Sequence, residues 1–217
     1  GFEAVIHESG LILKETLRVG DRIRVYIEDV KKEPFGAQIF LSRTNPQFLV
    51  KLFEQEVPEL YEGNIEVKSV VRDAGSRAKI AIYSRRDDID IIGSFIGIRG
   101  SRVQAVSAEL RGEKIDIIKW SPNIAEFVIN SLTPAKVSKV IVDEENNLIE
   151  VVVAENQLSL AIGRGGQNVK LASKLVGYKI DVMTEEQESA RRTTEFNQAS
   201  ELFVKALDVE DVIANLL

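Results

Sequence analysis

Apolar and polar positions alternate in the first forty residues. Ala4 to His7 reads as a short strand. After the turn-like Val19-Gly20-Asp21, Ile23, Val25 and Ile27 alternate with Arg22, Arg24 and Tyr26, which predicts a half-buried strand over residues 22–30. Pro34-Phe35-Gly36 marks another turn before a strand over 37–42. The period then changes. Asn45-Pro46 opens a stretch in which Phe48, Leu49, Leu52, Phe53, Val57 and Leu60 fall near helical spacing. Strands follow at 65–72 and 79–83, separated by Asp73-Ala74-Gly75-Ser76. A helix from about Asp88 is broken at Gly97 to Gly100 and resumes over 101–110, and a strand runs over 115–120. The order is α-β-β-α-α-β.

That order then repeats. A helix is predicted over 123–132, and strands over 137–142 and 149–153, joined by Asp143-Glu144-Glu145-Asn146-Asn147. A helix over 158–162 breaks at Gly163 to Gly166 and resumes over 169–176, and a last strand covers 178–183. Gly97-Ile98-Arg99-Gly100 aligns with Gly163-Arg164-Gly165-Gly166, Val103 with Val169, and Ser107 with Ser173. After a one-residue gap, Lys114-Ile115-Asp116-Ile117 aligns with Lys179-Ile180-Asp181-Val182. A period of this length is too long for a solenoid and suits a small α/β unit. Residues 184–217 read as helical and acidic, with one apolar stripe of Phe196, Ala199, Phe203 and Ala206 and another of Val209, Val212, Ile213 and Leu216. The expected division is therefore a β unit over 1–44, two copies of the repeated unit over 45–120 and 121–183, and the start of a further helical domain over 184–217.

Composition narrows the chemistry. The 217 residues suit one large domain or two to three small ones, and 44% apolar content supports real cores. With no cysteine there is neither a disulfide nor a thiolate metal site, which fits a reducing cytosol, and a single histidine argues against a His-based metal cluster or a Ser-His-Asp triad. Neither a membrane-length apolar run nor a signal peptide is present. The chain opens at Gly1 in mid-pattern, as an excised piece would. The net charge of -6 argues against a nucleic-acid partner until it is mapped. Residues 185–217 hold eight acidic and three basic residues, whereas Arg72 to Trp120 holds ten basic and seven acidic. A phosphate-binding face needs local positive charge, not a basic whole.

The two glycine loops are the candidate chemistry. Each is Ile-Gly-x-x-Gly between two helices, at Ile96 to Gly100 and Ile162 to Gly166. A helix start presents backbone N–H groups with no intrahelical partner and a partial positive charge. Glycine lets a phosphate approach the main chain. Arg99 and Arg102 flank the first loop, and Arg164 and Lys170 the second, while Gln167 and Asn168 stand where they could hydrogen-bond a base or phosphate. Asn168 equally suits a cap of the resumed helix. A lone glycine loop is more often a plain turn; two at equivalent points of a repeated unit, each flanked by cations, favour a ligand. Neither loop is followed by Lys-Ser or Lys-Thr, so neither is a Walker A loop, and neither follows a strand as a dinucleotide loop does. A helix-hairpin-helix module would leave the strands unexplained.

These residues resemble a known family. The α-β-β-α-(Gly-x-x-Gly)-α-β order is similar to the type II KH domain, whose loop clamps single-stranded RNA or DNA. The stretches from Asp73 to Ala81 and from Gly97 to Val106 resemble the first KH domain of bacterial NusA-type transcription elongation and termination factors, and Ala161 to Ser173 resembles the second. The resemblance covers essentially the whole chain. It implies an α+β fold: later strands of an S1-type OB barrel over 1–44, lacking its first hairpin, then tandem KH domains and an acidic helical tail. It implies a cytoplasmic, monomeric, non-enzymatic RNA-binding factor without cofactor or metal. Such a factor modulates pausing, termination and antitermination, with single-stranded nascent RNA, RNA polymerase and other antitermination factors as partners. Its RNA-binding residues would be Gly97, Ile98, Arg99, Gly100, Arg102, Gly163, Arg164, Gly165, Gly166, Gln167, Asn168 and Lys170, with His7 as a possible stacking residue on the barrel.

Plainer readings stand beside these. His7 equally suits a solvated strand end. Tyr26, Phe35 and Phe40 suit packing better than base stacking, and Trp120 suits the junction of the two KH units. Arg85-Arg86 beside Asp87-Asp88 suggests local ion pairs. The acidic clusters Asp87, Asp88, Asp90 and Glu144, Glu145 fit exposed turns better than acid/base or metal chemistry. The alternative function is a KH scaffold that holds a protein partner and keeps its loops structural. An enzyme acting on nucleic acid would need a nucleophile, metal or base cluster, and none is evident.

Overall fold

The computed structural model describes residues 3–13, 15–32 and 39–207, with side chains through residue 202. The turn expected at Pro34-Phe35-Gly36 and the stripe expected from Val209 to Leu216 lie outside the described residues. The first three strands, β1 (Ala4–Ile6), β2 (Tyr26–Val30) and β3 (Ile39–Ser42), form a sheet ordered β1-β3-β2, parallel between β1 and β3 and antiparallel between β2 and β3. Residues 22–25 alternate like a strand but are not one. Tyr26 already pairs with Ser42 at the end of β3, so nothing remains opposite them to close a ladder.

The first repeat follows as α1 (Pro46–Glu56), α2 (Pro58–Tyr61), β4 (Glu66–Asp73), β5 (Arg77–Tyr83), α3 (Ile91–Ile96), α4 (Ser101–Glu109) and β6 (Lys114–Lys119). Asn45 caps α1 by accepting from the Gln47 N–H at 2.9 Å, and Pro46 occupies the first turn, where its missing N–H costs nothing. The single helix expected to reach Leu60 is two, because Val57, preceding Pro58, is held extended at φ −119°, ψ 98°. Helix α3 starts three residues later than expected. Asp90 caps it through Gly93 N–H, while Asp88 is drawn to Arg86. Strand order is β4-β5-β6, with β5 and β6 parallel across the α3–α4 crossover.

The second repeat has the same architecture: α5 (Ile124–Ser131), β7 (Lys139–Asp143), β8 (Leu148–Val153), α6 (Glu155–Ile162), α7 (Gln167–Val176) and β9 (Lys179–Thr184), ordered β7-β8-β9 with β8 and β9 parallel. Helix α6 begins three residues before the expected start. A long helix, α8 (Glu185–Leu207), leaves the last strand directly.

Successive strand residues face opposite sides of a sheet, and each sheet uses both. The inner face of the first KH sheet (Ala78, Ile80, Ile82, Ile115, Ile117) packs on Phe48, Leu49, Phe53, Phe95 and Leu110. Its outer face, with Ala81 and Ile118, packs on Phe127 of α5 and Leu175 of α7. The two KH units therefore form one body, sheet against helices. Lys79, fully buried on that outer face, donates to Asp116 at 2.8 Å and to the Thr133 carbonyl of the second unit at 3.2 Å. Burial lowers its pKa, and Asp116 partly offsets this.

The N-terminal unit is anchored by buried ion pairs. Arg43 makes a two-pronged bond to Glu15 at 2.9 Å and donates to Glu109 at 2.9 Å, with the side chains of Arg43 and Glu15 at 3% and 1% exposure. Arg72 pairs with Glu113 at 2.8 Å and reaches the Arg43 and Asn45 carbonyls. The turn between β4 and β5 joins all three units. Gly75 N–H donates to Glu113, a Cβ at Gly75 would lie 2.7 Å from Ile12 of the N-terminal unit, and Asp73 and Ser76 accept from Gln167 of the second KH unit.

Candidate nucleic-acid interface

The two glycine loops have nearly the same backbone. Gly97 and Gly163 sit at φ 73°, ψ 174° and φ 75°, ψ 170°; Arg99 and Gly165 at φ 52°, ψ 28° and φ 59°, ψ 23°; Gly100 and Gly166 at φ 82°, ψ 12° and φ 75°, ψ 13°. Three left-handed residues in four reverse the chain sharply and start α4 and α7 directly at Ser101 and Gln167. The first glycine of each loop is required twice over. Its φ and ψ are open essentially only to glycine, and a Cβ there would lie 2.7 Å from Arg102 Cγ or Asn168 Cβ. The last glycine is freer, with its nearest neighbours being the ends of Gln104 and Lys170.

Arg102 and Asn168 occupy equivalent positions and do equivalent work, which departs from the expectation for both. Asn168 is fully buried, and its amide nitrogen donates to the Leu132, Leu160 and Ala161 carbonyls at 3.1, 3.2 and 3.1 Å. It staples the end of α6 to the start of α7, satisfying carbonyls that a helix end leaves without partners. Buried in this way, its amide nitrogen is committed to backbone carbonyls of the fold. Arg102 donates to the Ser94 carbonyl at 2.7 Å and lies 3.5 Å from Glu59, closing α3 in the same manner. It faces a cleft of about 530 Å3 lined also by Asp88 and Asp90.

What remains outward differs between the loops. The first presents Ile98, 85% exposed, and Arg99. The second presents Arg164, Lys170 and, one turn further along α7, Lys174, all exposed and none in an ion pair with a described residue. Lys170 Nζ folds back to the Gly165 carbonyl at 3.3 Å. These three cations border a cleft of about 330 Å3 between α7 and the first unit's Asp73. Gln167 stands at its edge, but its amide nitrogen already donates to Asp73 Oδ2 at 2.6 Å and Ser76 Oγ at 2.7 Å, so its main contact is with the neighbouring KH unit.

The other candidates fall as follows. His7 stacks on Phe40 at 5.8 Å and 19°, and Lys31 lies 4.8 Å from the Phe40 ring centre. Tyr26 packs against the first KH core. Trp120 sits at the junction, against Tyr83 and Phe127. Arg86 pairs with Asp88 at 2.7 Å. No group of three or more potential metal ligands converges among the described residues. No described helix is long and apolar enough to cross a membrane. Sequence reasoning missed Arg43, Glu15, Lys79 and Arg191, each of which has a partner in another unit that leaves no local pattern.

Comparison with known proteins agrees with this architecture. Residues 43–120 match the NusA-like first KH domain, and residues 124–190 the NusA-like second KH domain. The chain is 54% identical over 99% of its length to the transcription termination/antitermination protein NusA of Rickettsia prowazekii and 53% identical to that of Rickettsia conorii, spanning 43% of each. The solved structure of APE1850 is 22% identical, with a TM-score of 0.48 over 64% of this chain and 97% of that one, a likeness too loose to add to the argument. Two NusA-type KH domains matched in order, and relatives above half identity along almost every residue, place the chain in the NusA family.

Proposed function

We propose that this chain binds single-stranded nascent RNA through its two Gly-x-x-Gly loops, and so contributes to pausing, termination and antitermination by bacterial RNA polymerase. The observation that carries this reading is the duplicated loop geometry, each copy opening a helix and each presenting at least one outward cation. The relatives' names supply the transcriptional setting. In this reading Gly97, Ile98, Arg99 and Gly100 form one clamp, and Gly163, Arg164, Gly165, Gly166 and Lys170 the other. Residues 1–44 are the remnant of an S1-type barrel on which the His7–Phe40 stack offers a flat face to a base. Polymerase and the other antitermination factors are reached mainly through parts of the protein beyond this chain, which acts in the cytoplasm as a monomer without catalysis.

The loops are unequal. Phosphate affinity scales with the cations brought to the strand, and the second loop has three outward cations to the first loop's one. The second clamp therefore dominates. The test is anisotropy of a labelled single-stranded RNA with three variants: Ile98→Asp with Arg99→Asp, Arg164→Asp with Gly165→Asp, and all four together. Aspartate tolerates left-handed backbone, so the loops keep their shape. The quadruple variant should lose binding while staying folded, and the second pair should cost more than the first. For every phosphate that is no longer neutralised, the log–log slope of affinity against salt should flatten by about 0.7. Equal binding by all four proteins would place the RNA elsewhere.

A further inference from the structure

The internal repeat allows one KH sheet to be laid on the other. In the first, Lys79 pairs with Asp116 and Ala81 with Ile118 across β5 and β6. In the second, Glu150 pairs with Asp181 and Val152 with Met183 across β8 and β9. All eight point to the outer face. On the first sheet that face is where α5 and α7 of the next KH unit dock, over Ala81 and Ile118. On the second, Val152 and Met183 are also buried, at 2% and 9% exposure, although no further KH unit covers them among the described residues. The element tied across that face is the first half of α8. Arg191 forms a two-pronged bond to Glu150, with Nη2 to Oε2 at 2.8 Å, and Glu188 of α8 pairs with Lys139 on β7 at 3.1 Å. From Thr193 to Leu202 the helix runs exposed except at Ser200, with Phe196 and Leu202 in solvent.

We propose that α8 is a strap over a second KH-type docking face, held by Arg191 on Glu150, and that it fixes the direction in which the chain leaves the KH pair. The sign of one side chain selects the occupant. Lys79 donates to the Thr133 carbonyl, just past the end of α5, where backbone dipoles are negative. Glu150, at the equivalent place, would repel such an end and instead takes a guanidinium. The bond lowers the pKa of Glu150, so the carboxylate stays ionised for its partner. The face thus accepts an arginine-bearing helix and refuses another copy of the unit that occupies the first.

The test is amide hydrogen exchange on the full chain without RNA, which makes it independent of the RNA-binding reading. Arg191→Glu should raise exchange at least tenfold over residues 187–194 and expose the outer face of β8 and β9, with β5 and β6 unchanged. Glu150→Arg should do the same. The double reversal Glu150→Arg with Arg191→Glu should restore most of the protection. Arg191 lies on the surface of α8, so its substitution leaves the second KH core intact. Arg191→Gln removes the bond without opposing like charges and should give the same direction of change. Unaltered exchange in α8 in the single variants, or a double reversal no better protected than the worse single, would overturn the strap.

Discussion

Alanine at Gly163 should be far more damaging than alanine at Gly165, two residues along the same loop. At Gly163, φ 75° and ψ 170° lie in a region closed to residues with a Cβ, at a cost of about 1–3 kcal/mol. The new Cβ would also lie 2.7 Å from Asn168 Cβ and 2.8 Å from Asn168 N. Relief requires moving Asn168, whose amide holds three carbonyls, and loosening one such bond costs about 1 kcal/mol more. Together these destabilise the second KH unit by about 3 kcal/mol. At Gly165 the backbone is ordinary left-handed, and nothing lies within 4 Å of a Cβ. The strain of about 1–2 kcal/mol is offset by a stiffer unfolded chain, worth about 0.4–1 kcal/mol. Arg99 already occupies the matching slot of the first loop at φ 52°. The assay is urea unfolding followed by the single tryptophan, Trp120, which packs on Phe127 across the KH junction. With a slope of about 1–3 kcal/mol/M, the two midpoints should separate by roughly 1 M or more. Coincident midpoints, or a lower one for Gly165→Ala, would refute the assignment of different duties to the two glycines.

Asn168→Ala should cost about 2 kcal/mol in the same titration, by stranding buried carbonyls, whereas Arg102→Ala, at a half-exposed site, should cost about 1 kcal/mol. Arg43→Met leaves Glu15 buried with only Arg111 for company and should destabilise the N-terminal unit by about 3 kcal/mol, read as faster amide exchange over residues 4–13 with β7–β9 unchanged. Burial raises the pKa of Glu15, but its bonds to Arg43 and Arg111 outweigh this and hold it below the ordinary 4.5. A depressed carboxylate stabilises the fold above that value and stops doing so as pH falls through its folded pKa. The N-terminal unit should therefore loosen in acid below about pH 4.5, and Arg43→Met should blunt that dependence. Lys79 is also depressed, but because the fold disfavours its charged form instead of favouring it. Its folded pKa lies below the free value of 10.5, because burial outweighs Asp116, so the cost of keeping it charged fades as pH rises through the folded pKa toward 10.5. Junction stability should rise with pH in that interval for the wild type and lose this dependence in Lys79→Met, in which Arg77 still pairs with Asp116 at 2.8 Å.

Elements written in local periodicity were legible in the sequence. The amphipathic spacing from Phe48 to Phe53, the paired strands and both glycine breaks depend on neighbours within a few residues, and the repeat exposed their equivalence. Residues 22–25 were misread because alternation reports a half-buried surface but not whether a partner strand extends far enough. The loops of the site were legible, and the packing of the side chains beside them was not. Gln, Asn and Arg next to a helix start look alike in sequence whether they turn outward or inward, and the burial of Asn168 depends on Leu132, thirty-six residues away. The Arg43–Glu15–Glu109 cluster and the Lys79–Thr133 contact join separate units. A charged residue destined for burial carries no local mark of it.

The two equivalent hairpin turns differ in how much change of length they tolerate. An added residue at Ala74 would pull Gly75 off Glu113, Ile12 off the turn and Gln167 off Asp73, disturbing three units at once. The corresponding turn of the second unit, from Glu144 to Asn147, is exposed along its whole length, so extra residues there meet mainly water and pay little in loop closure. The second hairpin is the position at which a peptide tag or reporter can be grafted without disturbing the architecture, and the first is the position at which a single inserted residue should be felt from the N-terminal sheet to the second clamp.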